Sequence, residues 1–346
     1  MAHVLEEGRS RAQARHDGMS WFQRLLLLTI LLTYALVVVG GTVRATGSGL
    51  GCPDWPKCHG EFIPPAEFHT LIEFSHRSVA SIVGVAFLGV TFFAFRDERK
   101  SPLVFWLAAT AGVVLVVQII LGGITVKREL PAEIVALHLG TAMTFMGLLI
   151  VCGVISISRS RGLQAMRLAS QSPFTRLAAL TAAGAFVTLV LGSYISGTGA
   201  SLACDGWPLC NGAVVPDAGG DVALHFLHRL VAGLLGVLLL GATYLAFKER
   251  VAPVLRWALT GSCVVYAVQV VVGAANIWTN LADGIIIAHL SLAALLWCIM
   301  VAVAALSYYL PSGKGEAAGE RALAERSKKV TEWARSDASS NAARRC

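Results

Sequence analysis

Apolar residues run along this chain in long unbroken stretches, not in the alternation of a half-buried strand or the one-sided stripe of a soluble helix. From Pro102 to Val126 the only strongly polar side chain is Gln118. About 20 apolar residues carry a helix across the ~30 Å hydrocarbon core of a bilayer. The pattern predicts eight such helices, at 22–43, 71–95, 103–126, 133–157, 174–197, 222–247, 254–277 and 284–308. The short alternating segments of a β-barrel are missing, so the fold class is an all-α polytopic membrane protein. The first span runs past the 7–15-residue apolar region of a removable signal peptide and lacks a clear cleavage site.

Composition agrees with this pattern. Of 346 residues, 55% are hydrophobic and 14% charged, against about 25% charged in a soluble domain, and mean hydropathy is +0.67. A water-soluble enzyme is excluded. Charge sets direction. With the N-terminus in the cytoplasm, the cytoplasmic segments before the last helix hold 14 Lys and Arg, among them Arg24, Arg96, Arg159 and Arg256, whereas the opposite loops hold four: Arg44, Lys57, Lys127 and Arg128. The positive-inside rule then places both termini in the cytoplasm. It also explains the net charge of +7 without nucleic acid. A tail of residues 1–21 precedes the spans. The tail 311–346, rich in Ala, Ser and charged residues, follows them with no assigned role.

The chain repeats itself. Gly40–Pro64 and Gly192–Pro216 are identical at ten of 25 positions, including Cys-x-x-Trp-Pro-x-Cys in both copies, and the register continues through Phe74-Ser75-His76-Arg77 against Phe226-Leu227-His228-Arg229. One residue out of that register, Gln118, Gly122 and His138 match Gln269, Gly273 and His289. Chance similarity of apolar helices does not place Cys, Trp, Pro and His in one register. Residues 22–157 and 174–310 are therefore two four-helix halves. Because four is even, both point the same way, as a parallel repeat about an axis along the membrane normal.

Two cysteine pairs, Cys52/Cys58 and Cys204/Cys210, lie in the loops that charge places outside, where disulfides persist. A disulfide is the first reading, a redox-active dithiol the second, and a metal site a third that lacks further ligands. Cys152, Cys263 and Cys298 lie within apolar spans and read as small core residues, whereas Cys346 has no evident role. Of nine histidines, His3, His16, His59 and His69 read as solvated or loop-structural, and His225 sits at the mouth of the sixth span. His76, His138, His228 and His289 each fall about six residues, about 9 Å, inside the outer end of an outside-to-inside helix. Ionisable groups in a membrane are costly and mark function. Two pairs of imidazoles at one depth, one pair per bundle, suit a haem iron held from both sides, whereas zinc needs three or four ligands. Arg77 and Arg229 follow two of these histidines. They read either as partners of haem propionates or as arginines snorkelling to the interface.

The halves differ where it matters. Three residues before His76 stands Glu73, and three before His228 stands His225. Residues i and i+3 share a helix face, so Glu73 looks toward the pocket of His76. It is either a proton-handling carboxylate or the partner of a structural salt bridge to Arg77.

Together the Glu73–Arg77 run, His138, His228, His289 and both cysteine loops resemble the heme A synthase family, over about Trp21 to Leu310. The resemblance implies oxidation of the C8 methyl group of haem O to the formyl group of haem A, for terminal oxidases. It implies substrate haem O on His76 and His138, the cofactor haem b on His228 and His289, and Glu73 as the catalytic carboxylate. It further implies a cell-membrane location with the cysteine loops on the periplasmic or extracellular side. The partners it points to are a heme O synthase, an electron-transfer protein and further copies of the chain. Two rival readings are a bis-His cytochrome b that only transfers electrons, which would need equivalent halves, and a transporter, whose broken helices are not apparent.

Overall fold

The computed structural model describes residues 18–310 apart from 100, 164, 166–171 and 218. The sequence readings at His3, His16, Lys100, Arg167, Cys346 and the tail 311–346 fall outside the described residues. Eight helices follow in order: α1 Trp21–Ala45, α2 Phe68–Asp97, α3 Pro102–Lys127, α4 Ala132–Ser160, α5 Pro173–Thr198, α6 Gly220–Lys248, α7 Pro253–Trp278 and α8 Asp283–Leu306. All eight are long and apolar enough to cross a membrane, and no strand occurs among the described residues. This is a multi-pass membrane protein. Its outer surface is apolar, with Leu31, Val85, Leu88, Trp106 and Trp257 each about two-thirds exposed or more, as lipid contact requires.

Local chemistry accounts for the helix ends. Ser20 and Gln23 form a reciprocal capping box at the start of α1, satisfying two orphan backbone donors. Ser172 caps α5 ahead of Pro173; Pro102 and Pro253 occupy the same opening position in α3 and α7, where a missing N–H costs nothing. The expected boundaries hold to within a few residues. The largest changes are three residues, at the start of α2, Phe68 instead of 71, and at the end of α4, Ser160 instead of 157. His76 and His228 thus lie eight residues into their helices, and His138 and His289 six.

Helix contacts close two rings. α1, α2, α3 and α4 touch in cyclic order, as do α5, α6, α7 and α8, and the rings meet through α1–α8, α4–α5 and α4–α8. Several polar contacts reinforce these seams. The Gln23 amide donates to Ser156 Oγ (3.2 Å), joining α1 to α4, and the Tyr34 hydroxyl donates to the Ser291 carbonyl (3.0 Å), joining α1 to α8. Arg44 at the end of α1 donates to the Ser196 carbonyl of α5.

The buried core occupies one end of each ring. In the first ring it is built from Phe22, Leu26, Val83, Phe87, Val104, Ala108, Phe145 and Leu149. In the second ring it gathers Phe174, Ala182, Leu239, Leu255, Leu259 and Met300. These residues come from the opening halves of α1, α3, α5 and α7 and the middle and closing turns of α2, α4, α6 and α8. The opposite end, where the disulfide loops lie, holds the histidines. Packing between the rings is close at Gly147 of α4, where an added Cβ would stand 2.7 Å from Cη2 of Trp297 on α8. Overpacking a filled core costs about 1–3 kcal/mol. Gly147→Ala is therefore expected to lower the thermal unfolding midpoint in detergent, and Trp297→Phe in the same chain to recover part of the loss.

Candidate functional site

Each of the four intramembrane histidines rests on a glycine of the helix that pairs with its own. An added Cβ would stand 3.1 Å from Cε1 of His76 at Gly40, 3.1 Å from His138 at Gly122, 3.1 Å from His228 at Gly192 and 3.0 Å from His289 at Gly273. His76 therefore lies in the α1–α2 seam and His138 in the α3–α4 seam, which are opposite seams of one ring. His228 and His289 take the α5–α6 and α7–α8 seams of the other. In all four rings Nδ1 is buried and lacks a hydrogen-bond partner.

With Nδ1 packed into the seam, Nε2 is the nitrogen left for a ligand. In His138 it meets the Gln118 amide at 3.2 Å, and in His289 the Gln269 amide at 3.5 Å. No group of three or more His, Cys, Asp or Glu side chains suited to a metal ion occurs among the described residues. Two opposed imidazoles fit a metal that brings its own equatorial donors, as haem iron does with axial histidines. The four matching glycine cradles are consistent with that group. In the sequence alone these glycines and glutamines keep register between the halves without an evident task. The signal was present, since small and polar residues kept register with the histidines.

Glu73, 5% exposed on α2, accepts from Arg77 Nε at 3.0 Å. Arg77 also donates to the carbonyls of Asp54 (2.8 Å), Lys57 (2.8 Å) and Cys52 (3.0 Å), which engages four of the five guanidinium N–H groups. Arg229 donates to the carbonyls of Leu209, Cys204 and Gly206 at 3.0–3.2 Å. Both arginines thus fasten the disulfide loops to the helix below, a role the sequence did not suggest. Fewer of their donors are left for a propionate. At the position matching Glu73, His225 accepts at Nδ1 from the Cys204 backbone N–H (3.2 Å).

Cys52–Cys58 and Cys204–Cys210 are joined in both loops, with Cα atoms 4.6 Å apart. Cys152, Cys263 and Cys298 are free thiols within helices. In the first loop His59 Nε2 approaches the Gly51 carbonyl (2.9 Å) and Thr70 Oγ1 (3.3 Å), and His69 Nδ1 pairs with Ser48 Oγ (2.9 Å).

Comparison with known proteins follows the same lines. Residues 23–301 match the family model COX15-CtaA, described as cytochrome oxidase assembly protein. A heme A synthase from Shouchella clausii is 34% identical over 65% of this chain and 75% of its own. One from Symbiobacterium thermophilum is 32% identical over 69% and 79%, and one from Alkalihalophilus pseudofirmus 28% over 83% and 96%. The chain belongs to the heme A synthase family.

The first loop turns on Asp54. Its carboxylate accepts from the backbone N–H groups of His59 (2.6 Å) and Gly60 (2.8 Å). The Gly60 bond, more than the His59 bond, holds the carboxyl below its usual value of 3.8. A depressed carboxylate stabilises the fold above its unfolded pKa and loses that contribution as pH falls through the folded one. Amide exchange at His59 and Gly60, relative to intrinsic rates, is expected to stay protected from pH 7 to 5. It should rise only below about pH 4, and Asp54→Asn should remove this dependence.

Proposed function

We propose that the protein is an oxidoreductase of haem A synthesis that converts the C8 methyl group of haem O to the formyl group of haem A. The observation that carries this reading is the set of four glycine-cradled imidazoles with orphaned Nδ1, two on opposite seams of each ring. In this reading His76 and His138 hold substrate haem O in the first half, and His228 and His289 hold haem b in the second. The halves stand as a parallel repeat in a cell membrane, with both termini cytoplasmic and the disulfide loops on the periplasmic or extracellular side. The distribution of Lys and Arg supports that orientation. Heme O synthase and an electron-transfer protein are the expected partners.

Haem b, when bound, supplies a one-electron centre. The chain's own groups do the rest. The histidines fix the substrate ring between opposite seams, and their glycines set how close each helix pair comes. The disulfide loops, fastened by Arg77 and Arg229, cover the histidine-bearing end and exclude water. Glu73 holds or moves a proton beside the substrate. Arg77 engages only its Oε1, which leaves the second carboxylate oxygen for exchange. A bis-His electron carrier would need no such carboxylate, and the His225–Cys204 contact in the matching position argues for different tasks in the two halves.

Glu73→Gln keeps size and hydrogen bonding but removes the proton-transfer group. General acid–base assistance contributes about 10²–10⁴-fold, so haem A formation should fall by that order while the low-spin haem b spectrum stays. Retention of near-parental haem A formation in product analysis would reject the catalytic assignment.

Loss of bis-His haem b from the His228→Ala and His289→Ala variants checks the cofactor site. Gly192→Ala and Gly273→Ala should reduce retained haem b several-fold by displacing the imidazoles. Gly233→Ala, where an added Cβ meets nothing within 4 Å, serves as the reference and should not.

A further inference from the structure

The two disulfide loops are built alike, so their differences isolate what one of them adds. In the second loop Asn211 takes a left-handed backbone (φ 53°), and its Nδ2 donates to the Ala203 carbonyl (3.3 Å). In the first loop His59, 152 residues earlier, has the same backbone (φ 55°), and its Nε2 reaches the matching carbonyl, that of Gly51 (2.9 Å). Asparagine therefore suffices to fasten such a loop. The imidazole adds a titratable ring, and it adds a second contact. Nε2 also lies 3.3 Å from Thr70 Oγ1, which itself donates to the Gly51 carbonyl (2.9 Å).

Thr70 has no counterpart in the second half, where Val222 stands. Its side chain is on the first turn of α2, with the residue only 2% exposed, and Glu73 lies one turn further in at 5%. Positions i and i+3 share a helix face. Gly51 clamps the loop onto this turn, since an added Cβ there would fall 2.2 Å from the His69 carbonyl oxygen. Three groups able to carry protons thus succeed one another from the surface inward: exposed His59, buried Thr70 and buried Glu73. The other half holds Asn211, Val222 and His225 in their places.

Resting on the reading of Glu73 as the catalytic carboxylate, we propose that His59 and Thr70 form a proton relay that connects Glu73 with the aqueous face of the first loop. Inward, the Nε2 proton of His59 passes to Thr70 Oγ1. The hydroxyl proton of Thr70 passes through one bridging water to the Glu73 carboxylate, and solvent water reprotonates the imidazole at Nδ1. The imidazole is then the Nδ1–H tautomer, and exchange of its ring protons with solvent at this exposed residue restores the Nε2–H form before the next transfer. Outward transfer reverses each step, so one proton enters or leaves per cycle. Asp54 and Arg77 are the charged groups around this path. Arg77 pins Glu73 Oε1, and Asp54 fixes the turn that carries His59. His59 and Thr70 act through Glu73 and are positioning residues.

The test uses holoprotein and His59→Asn, which installs the residue the second loop already folds with. Thr70→Val is the second variant, and Glu73→Gln the control. Haem A formation should fall about tenfold or more in both relay variants, with the haem b spectrum unchanged. Added imidazole should restore His59→Asn but not Thr70→Val. Infrared spectroscopy after a pH jump supplies a readout independent of turnover. The carboxyl band that Glu73→Gln abolishes should exchange its proton about tenfold more slowly in both relay variants.

Parental turnover and parental carboxyl exchange in His59→Asn, with Glu73→Gln inactive, would overturn the relay and leave the proposed function standing. An active Glu73→Gln would overturn the catalytic reading of Glu73, and the infrared exchange rate would then decide the relay by itself.

Discussion

A polar ring inside a membrane-spanning bundle has to be set against something, and here it is set against the absence of a side chain. Each of the four imidazoles meets a glycine at a distance a Cβ could occupy only by pushing it away. The helix pairs that carry these contacts, α1–α2, α3–α4, α5–α6 and α7–α8, form four sides of the two rings. Close approach along these seams buries Nδ1 and leaves Nε2 as the nitrogen through which the ring can act. Much of the remaining architecture serves to hold those seams in place. Apolar cores fill the far ends of both rings, and cross-links such as Tyr34–Ser291 tie the rings together.

The disulfide loops complete the arrangement from above. Trp55 and Trp207 give these loops apolar contacts with the helices, and the arginines that follow His76 and His228 supply polar ones. Arg77 and Arg229 each reach three loop carbonyls. Neutral carbonyls accepting from a guanidinium are charge-assisted bonds, roughly twice the strength of neutral ones. Histidine and lid are thereby fixed by adjacent residues on the same helical turn, so a change in lid position is felt at the ring. Only in the first half does the arginine also hold a carboxylate.

Much of this was legible in the chain. Long apolar runs gave the eight helices because a bilayer demands whole spans of about 20 residues, a constraint that tolerates little ambiguity. The histidines stood out because ionisable groups are expensive at that depth. The role of the glycines did not, although Gly40, Gly122, Gly192 and Gly273 kept register with them. Glycine is frequent in membrane helices, and only the seam geometry separates a cradle from a spacer such as Gly233. Arg77 and Arg229 were read toward the pocket or the interface. Their donors instead turn to loop carbonyls, and no periodicity records where a loop's carbonyls will point. The start of α2 at Phe68 was missed because Phe68 and His69 follow a Pro-rich stretch that reads as loop.

Duplication and asymmetry then divide along the length of each ring. The residues that hold the bundles together lie in the far-end cores, remote from the loops, and both halves keep them apolar. Three of the differences between the halves, His59 against Asn211, Thr70 against Val222 and Glu73 against His225, lie in the loop or in the first two turns below it. Substitution there leaves the far-end apolar cores untouched. The loop turn survives it, since His59 and Asn211 share one backbone conformation. The same histidine–glycine seams thus stand in both rings, with a buried carboxylate one turn from the histidine in only one of them. The cost of burying Glu73 is offset locally by Arg77, which the lid already requires. Arg229 performs that lid role without any carboxylate, so the arginine precedes the acid in the logic of the fold.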